Sequence, residues 1–249
     1  MTQIKEVEFV CLDVEATGLN PEVDRVIEVA VASFTFETIL EEFETLIDPG
    51  QQIPQESIAI HHITQDMVQG KPTIAEILPK LKVLIGSRVI VGHCIKFDID
   101  ILTNEAKRVK KESPFKNNLA FDTLRLARLY GESPSNSLEV LRNHFNIQPE
   151  GAHRAMSDVI VNIQVFKRLV QKFRTVEDIQ EVLSKPIAMK NMPLGKHKGR
   201  PFKEIPFEYL QWAAHQQFDQ DLLFSIRSEL QRRKKGGSFA QVTNPFHQL

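Results

Sequence analysis

The chain has 249 residues, of which 42% are hydrophobic and 25% charged, and its net charge is −1, as expected for a globular protein with one substantial domain and a small second one. With only Cys11 and Cys94, it can form neither a disulfide framework nor a four-cysteine zinc site. No apolar run approaches the roughly 18 residues that cross a membrane, and the first residues lack a secretory signal pattern, so we expect a cytoplasmic protein without membrane contact.

The N-terminal part of the sequence predicts a meander of three strands. The first strand begins with alternating apolar and polar residues and then becomes fully apolar, which is typical of a buried central strand. Similar patterns in the next two segments indicate two further strands. The predicted strands cover residues 6–15, 25–36 and 41–49.

Strands and helices alternate in the following part of the chain. Apolar residues recur every three or four positions over 73–86, which predicts a helix that Pro79 interrupts. Three leading strands followed by this alternation predict an α/β fold, a mixed sheet flanked by helices. The other predicted elements are a strand over 88–93, a helix over 96–111, a strand and helix over 119–130, and helices over 137–145 and 154–173.

The C-terminal part of the chain is basic. Ten Lys or Arg and five Asp or Glu give residues 186–235 a balance of +5, which leaves −6 for residues 1–185. This asymmetry indicates a cation-holding site beside a surface that binds polyanions, with a solubilising terminus as the alternative. We predict a main domain over 1–175, a linker over 176–188, a small basic and partly helical module over 189–235, and a flexible tail over 236–249.

Two carboxylates stand at the end of the first predicted strand. Asp13 and Glu15 are two residues apart and therefore face the same side, although a buried charge is costly unless an opposite charge meets it. Three further acids, Asp98, Asp122 and Asp158, follow other strands or begin helices, where α/β sheets bind ligands. Helix capping is the alternative role for Asp98 and the favoured role for Asp122.

His153 precedes Asp158 by five residues. On one continuous helix this spacing would put the two side chains roughly 140° apart, so they would not share a face. We therefore predict that His153 lies in the turn before the helix and reaches toward the side that Asp158 faces.

Together, these motifs resemble the DEDDh family of 3′–5′ exonucleases, which have a ribonuclease H-like fold. The stretch DVEATGL is similar to the first family motif, D-x-E-T-T-G-L, while HCIKFDIDIL is similar to the second and HRAMSDVIVNIQVF to the third. AIHHIT is similar to the family's I-H-G-I-T stretch. The resemblance covers roughly residues 6–173 and is closest to the epsilon (proofreading) subunits of bacterial DNA polymerase III and to ribonuclease T.

The resemblance implies a two-metal mechanism. In this family Asp13, Glu15, Asp98 and Asp158 would hold two divalent ions, Mg²⁺ or Mn²⁺, and His153 would be the general base for the attacking water. Hard cations prefer oxygen ligands, and histidine titrates near neutral pH, so the residue types suit these roles. The implied reaction hydrolyses the last phosphodiester of single-stranded or frayed DNA from its 3′ end and releases a 5′-monophosphate.

The resemblance also suggests which residues contact the substrate. Ala16 and Cys94 depart from the family, which often has Thr and Asn there, but neither position supplies a metal ligand in the family. Phe97 suits a core position equally well. The residues expected to line the terminal nucleotide are Thr17, Gly18 and Leu19, with His61 and Phe97 as further candidates.

The stretch MPLGKHKGRPFKEIPFEYLQWAA resembles a small bacterial module of unknown function. We predict that Lys196, His197, Lys198 and Arg200 contact phosphates and that the following helix forms a small core around Trp212. The alternative is a solvated basic turn.

Three other functions remain open at this point. RNA 3′-end trimming would use the same metal site. A haloacid-dehalogenase-type phosphatase is suggested by VCLDVEATGL, although Glu15 replaces the second Asp of its D-x-D-x-T motif. A non-catalytic subunit that binds nucleic acid or docks on a polymerase would not need all five catalytic positions filled. The expected partners are DNA or RNA 3′ ends and a replicative DNA polymerase, with the oligomeric state open.

Overall fold

The computed structural model describes residues 2–133, 135–148 and 155–242, with side chains as far as residue 235. The chain divides into two compact units, Met1–Leu183 and Ser184–Leu249. Among the described helices, none combines the length and the apolar character needed to cross a bilayer.

The described residues of the first unit form a mixed sheet of five strands. The strands are β1 (Phe9–Ala16), β2 (Val26–Phe34), β3 (Ile39–Leu46), β4 (Val89–Gly92) and β5 (Ala120–Asp122). Their order is β3-β2-β1-β4-β5, with β1, β2 and β3 antiparallel and with β4 and β5 parallel to β1. The predicted mixed sheet is confirmed, and β1 is its central strand.

The helices of this unit connect and cover the strands. Thr73 and Glu76 form a reciprocal capping box at the start of the third helix, which then continues through Pro79 without the predicted interruption. The helices are α1 (Gln55–His61), α2 (Gln65–Val68), α3 (Ile74–Ile85), α4 (Lys96–Arg108), α5 (Thr123–Tyr130), α6 (Leu138–His144), α7 (Ala155–Leu169) and α8 (Val176–Ser184).

The two faces of β1 belong to two different cores. Residues at alternate positions of a strand point to opposite faces. Phe9 packs against Phe34 and against Phe166 of α7, with ring centroids 5.4 and 5.3 Å apart. Val10, Leu12 and Val14 instead pack in the core that contains residues of α3 and α4. Asp13 and Glu15 continue the series of Phe9, and they therefore lie on the α7 side.

The boundary between the units differs from the predicted one. Apolar residues of α8 (Val176, Ile179 and Leu183) are buried in the same core as Phe9. Their spacing of three and four residues is that of a helix with one buried stripe. Residues 176–183, predicted as part of a linker, thus belong to the first unit.

The second unit has a small core of its own. It contains two helices, α9 (Phe207–Ala213) and α10 (Gln220–Val242). The prediction that Trp212 forms the centre of this core is wrong, because 54% of Trp212 is exposed. Helix α10 continues to residue 242, into the predicted tail, and residues 243–249 lie outside the described residues. The core consists of Met192, Phe202, Ile205, Leu210, Ala213, Leu222 and Ile226.

Candidate active site

Three carboxylates converge beside the end of β1. One carboxylate oxygen from each of Asp13, Glu15 and Asp158 lies within 4.8 Å of the other two. Asp13 and Glu15 belong to β1, and Asp158 lies in the first turn of α7, which packs on the same face of the sheet. Each of the three residues is partly buried. This cluster is compact enough for its members to share a bound cation.

Asp98 lies next to this cluster in the first turn of α4. Its Oδ1 accepts a hydrogen bond of 3.0 Å from the backbone N–H of Val14, which stands between the two acids of β1. Strand β4 pairs with β1 only as far as Cys11, so a side chain satisfies the backbone of β1 beyond that point. The alternative role of Asp98 at the helix N-terminus is compatible with this position, because its carboxylate also accepts a hydrogen bond from its own backbone N–H in the first turn of α4.

The carboxylates raise one another's pKa values. Burial, followed by the charges of Asp98, Asp158 and Glu15, raises the pKa of Asp13 well above its ordinary value. Burial and then the charges of Asp158 and Glu28 raise the pKa of Glu15 to about 7. Burial is also the main cause of the raised pKa of Asp98. Like charges in a desolvated site favour either a bound proton or a bound cation.

Glu28 is a further buried acid of this site, which the motifs did not identify. It lies on β2 directly opposite Glu15 and is fully buried. Its Oε2 accepts a hydrogen bond of 3.2 Å from the N–H of Ala155, and Glu44 of β3 accepts one of 3.3 Å from Met156. Two strands thus hold the first turn of α7. A single charge inside the otherwise apolar strand VIEVAVASF was the available signal.

A buried polar network holds α7 one turn after Asp158. Asn162 accepts a hydrogen bond of 2.7 Å from the hydroxyl of Thr123 and donates to Cys11 Sγ at 3.6 Å. The Thr123 hydroxyl also lies 3.0 Å from Nδ1 of His93. These contacts join α7 to β1 and α5, and they therefore fix the position of Asp158 relative to Asp13.

The turn after β1 was predicted to line the terminal nucleotide. Thr17 is buried, and its hydroxyl donates to Asp24 Oδ1 at 3.0 Å and accepts from the N–H of Arg25 at 3.0 Å. A Cβ at Gly18 would lie 2.6 Å from Asp24 Oδ2, so a larger residue at this position would have to displace the Asp24 carboxylate. Leu19, by contrast, is 90% exposed and available to a ligand.

Helix α4 supports this turn from behind. Glu105 is buried, and its Oε1 accepts hydrogen bonds from Arg25 Nε at 2.8 Å and from the N–H of Val26 at 3.1 Å. Arg108 donates to the backbone carbonyls of Asp24 and Pro21. The position of the loop before β2 therefore depends on α4.

The other residues predicted from the sequence to contact substrate or to act in catalysis are not part of the carboxylate cluster as the structure describes it. His61 is buried, and its Nδ1 accepts a hydrogen bond of 3.0 Å from the N–H of Ile63. Phe97, in the first turn of α4, is partly buried and packs against the core that contains residues of α3 and α4. Asp122 caps α5, where it accepts from the N–H of Leu124 at 2.9 Å, so the capping role favoured for it is confirmed. His153 lies outside the described residues.

Most of the first unit matches a known protein family. The sequence model of the family described as Exonuclease (RNase_T) matches residues 10–166, which is more than half of the chain. The chain belongs to this exonuclease family. The match includes both acids of β1, as well as Asp98 and Asp158. A second family model, described as “Putative quorum-sensing-regulated virulence factor”, matches residues 180–226.

Two kinds of DNA polymerase III component are among the proteins similar in sequence to this chain. DNA polymerase III subunit epsilon of Aquifex aeolicus is 32% identical over 165 residues, which cover 66% of this chain and 81% of that protein. DNA polymerase III PolC-type of Clostridium perfringens is 32% identical over 176 residues, and that of Thermotoga petrophila is 35% identical over 171. These matches cover 70% and 68% of this chain, but the chain spans only 12% of either PolC-type protein.

Solved structures share the fold of the first unit. Exonuclease X in complex with 5′ overhanging duplex DNA aligns with a TM-score of 0.57 at 24% identity, over 70% of this chain and 98% of that one. Exonuclease I of E. coli in complex with a dA16 oligonucleotide aligns with a TM-score of 0.61 at 21% identity, over 72% and 43% of the two chains. The ribonuclease H-like fold expected from the sequence is thereby confirmed.

Proposed function

We propose that this chain is a metal-dependent 3′–5′ exonuclease that removes nucleotides one at a time from single-stranded or frayed DNA ends. The observation that carries the proposal is the convergence of Asp13, Glu15 and Asp158 from β1 and α7. Membership of the exonuclease family supports the reaction type. The names of the relatives, which are polymerase III components, support DNA as the substrate and a replicative polymerase as the partner. The cytoplasmic location remains a prediction from the sequence.

The donor set fits divalent metal ions. Among the described residues, the side chains that meet at the site offer carboxylate oxygens, which Mg²⁺ and Mn²⁺ prefer over nitrogen or sulfur. Asp13, Glu15 and Asp158, with Asp98 beside them, would hold two such ions. When bound, the ions would supply positive charge that stabilises the attacking and leaving oxygens of the displacement. The mutually raised pKa values of these acids are expected where cations balance the charge.

The chain's own residues would position the DNA end and move the proton. The exposed side chain of Leu19 would pack on the terminal base. His153 would take the proton of the water that attacks the last phosphorus, and the 3′ oxygen of the preceding nucleotide would leave. The product is a nucleoside 5′-monophosphate. Glu28 and Glu44 would hold the start of α7, and with it Asp158, in place during this step.

The proposal is tested by digestion of labelled oligonucleotides. Single strands of DNA and of RNA, labelled at the 5′ end in one series and at the 3′ end in another, are incubated with Mg²⁺ or Mn²⁺. We expect 5′-labelled DNA to shorten in single-nucleotide steps and the 3′ label to appear at once as a mononucleotide. Asp13→Asn should abolish both, whereas the exposed control Asp66→Asn should not.

Other digestion results would contradict the proposal and favour one of the other candidate functions. Faster shortening of RNA than of DNA would make the chain a 3′-end trimming exoribonuclease. Early release of the 5′ label would contradict the polarity. Inorganic phosphate from small phosphoesters, with DNA left intact, would favour a phosphatase. Binding of single strands without any shortening would favour a non-catalytic subunit.

A further inference from the structure

A short basic loop, defined here as residues 195–200, projects from the second unit. Gly195 and Gly199 have positive φ angles of 71° and 82°, which allow the chain to turn tightly. The loop is closed by hydrogen bonds between Met192 and its other side: the N–H of Met192 donates to the carbonyl of Arg200, and Gly199 donates to the carbonyl of Met192. Lys196, Lys198 and Arg200 are exposed, and within the described chain none of them forms an ion pair.

The loop lies against a row of aromatic rings. His197 is 5% exposed, and neither of its ring nitrogens has a hydrogen-bond partner among the described residues. Its ring meets that of Tyr209 edge-on at 4.5 Å, and the ring of Tyr209 lies 5.3 Å from that of Trp212. The hydroxyl of Tyr209 also lies 3.0 Å from the position that a Cβ on Gly195 would take. Tyr209 therefore connects the loop directly to Trp212.

His197 therefore contributes to the basic loop by packing against Tyr209 and not as a charged residue. Burial, followed by the nearby charges of Lys196 and Arg200, lowers the pKa of the His197 imidazole. A neutral ring against Tyr209 stiffens the loop while the flanking cations stay in solvent. This place differs from the phosphate contact predicted for His197 from the sequence.

We propose that the basic loop and Trp212 form a binding surface for single-stranded nucleic acid, separate from the exonuclease site. Lys196, Lys198 and Arg200 would contact successive phosphates, and a base would stack on the exposed indole of Trp212. Cations beside an exposed aromatic side chain suit an unpaired strand, because the bases of a duplex are already stacked on one another. The second unit would thus bind the strand whether or not the first unit cleaves it.

The charge balance and the exposure of the indole favour this ligand over a protein partner. Residues 186–235 have a net charge of +5, so a polyanion is attracted to the unit as a whole. At the loop and Trp212, the large exposed apolar side chains are Trp212 itself and Leu194, which directly precedes the loop and is 40% exposed, rather than a wide patch. Phosphates and one accessible base match both features.

Trp212 is the single tryptophan of the chain, so its fluorescence reports on this surface alone. The full-length protein is titrated with dT and rU oligomers of about 12 nucleotides in EDTA, which removes divalent ions and prevents cleavage. We expect saturable quenching of the emission. Quenching by both oligomers, or by one of them, supports the proposal and identifies the sugar preference. Unchanged emission with both, while a labelled oligomer still binds, would overturn it.

The contribution of the loop is measured by salt dependence with a matched control. The Lys196→Ala/Lys198→Ala/Arg200→Ala variant should bind labelled dT with a slope of log K against log salt that is shallower by about 2, since three phosphate contacts to a single strand are lost. The control removes the same charge from the first unit, through three exposed lysines near the C-terminal end of α4. Equal slopes for the two variants would contradict the proposal. The control substitutions are Lys110→Ala, Lys111→Ala and Lys116→Ala.

The contribution of stacking is measured with two substitutions of Trp212. Trp212→Ala should weaken binding of labelled dT by roughly 5- to 150-fold, the usual range for loss of one stacked base. Trp212→Phe should retain most of the affinity, because it keeps an aromatic face. If both variants bind as the wild type does, the indole does not stack on a base. These titrations contain no divalent metal, so their outcome is independent of whether the chain is an exonuclease.

Discussion

Buried carboxylates have opposite neighbours at the end of β1 and in the middle of α10, and their pKa values shift in opposite directions. Glu229 on α10 accepts hydrogen bonds from Arg232 at 2.8 Å and from Arg233 at 2.7 Å, and these arginines lower its pKa to about 2. At the end of β1, burial and neighbouring acids raise the pKa of Glu15 to about 7. The same kind of side chain is held as a charge in one region and keeps its proton up to about pH 7 in the other.

This difference distinguishes acids that stabilise the fold, called here the scaffold, from acids that belong to the candidate active site. An acid that the fold itself pairs with arginine stabilises the folded chain and is not available to a ligand. Acids that are brought together destabilise the metal-free chain until a proton or cation arrives, and such a cost is usual at functional sites. Within the described residues, no lysine or arginine forms an ion pair with Asp13 or Glu15.

Neutralising an acid at the end of β1 should have its largest effect on activity. Asp13→Asn preserves the shape of the side chain but removes a charge that would hold metal, and we expect the rate of DNA hydrolysis to fall by at least about 10³-fold. The measurement is single-turnover digestion of a labelled oligonucleotide. A fall of less than tenfold would mean that Asp13 is not part of the reacting centre.

Breaking a pair in the scaffold should have its largest effect on stability. Glu105→Ala leaves Arg25 without its partner and the N–H of Val26 without its acceptor, and we expect the free energy of unfolding to fall by about 3–5 kcal/mol. Urea denaturation with and without Mg²⁺ measures the change. If Glu105→Ala unfolded at the same urea concentration as the wild type, this buried pair would not stabilise the fold.

The raised pKa of Glu15 predicts how the metal-free chain responds to pH. Between pH 4.5 and about 7 the folded state keeps a proton on Glu15 that the unfolded state has lost, so stability falls as the pH rises through this window. The loss from this group is at most about 3 kcal/mol. Thermal unfolding in EDTA at pH 5 and pH 8 should show it, and Glu15→Gln should reduce the difference. A steeper fall in the variant would contradict the assignment.

The smallest effects should differ in sign between the two regions. Without divalent ions, Glu229→Gln should lower the free energy of unfolding by about 1–2 kcal/mol, because two charged hydrogen bonds are weakened. Asp13→Asn should raise it by about 1 kcal/mol, because repulsion among the site acids is relieved. Paired melts in EDTA measure both changes. Two changes of the same sign would remove the distinction between scaffold and site.

The sequence predicted the sheet and the acids of β1 because local patterns determine them. The apolar lead-in of β1 and the D-x-E spacing fix which side both acids face. The helix predicted over 154–173 is likewise found as α7, and its apolar residues Ala155, Val159 and Phe166 are buried in the core beside β1. These features depend on periodicity alone.

The supporting residues could not be predicted in this way. Glu28, Asn162 and Glu105 acquire their roles from partners that are 39 to 127 residues away in the sequence. Trp212 was misplaced because an aromatic residue in a helical segment is usually core, whereas here its neighbour Leu210 fills the core instead. Such choices depend on packing between distant segments.

Direct titration with Mn²⁺ tests the central claim, that the carboxylates at the end of β1 are brought together to bind divalent cations. The full-length wild type, Asp13→Asn and the control Asp66→Asn are compared by isothermal titration calorimetry at pH 7.5, without nucleic acid. We predict saturable binding by the wild type and by Asp66→Asn, and affinity at least about tenfold weaker in Asp13→Asn. Identical isotherms for all three proteins would contradict the account.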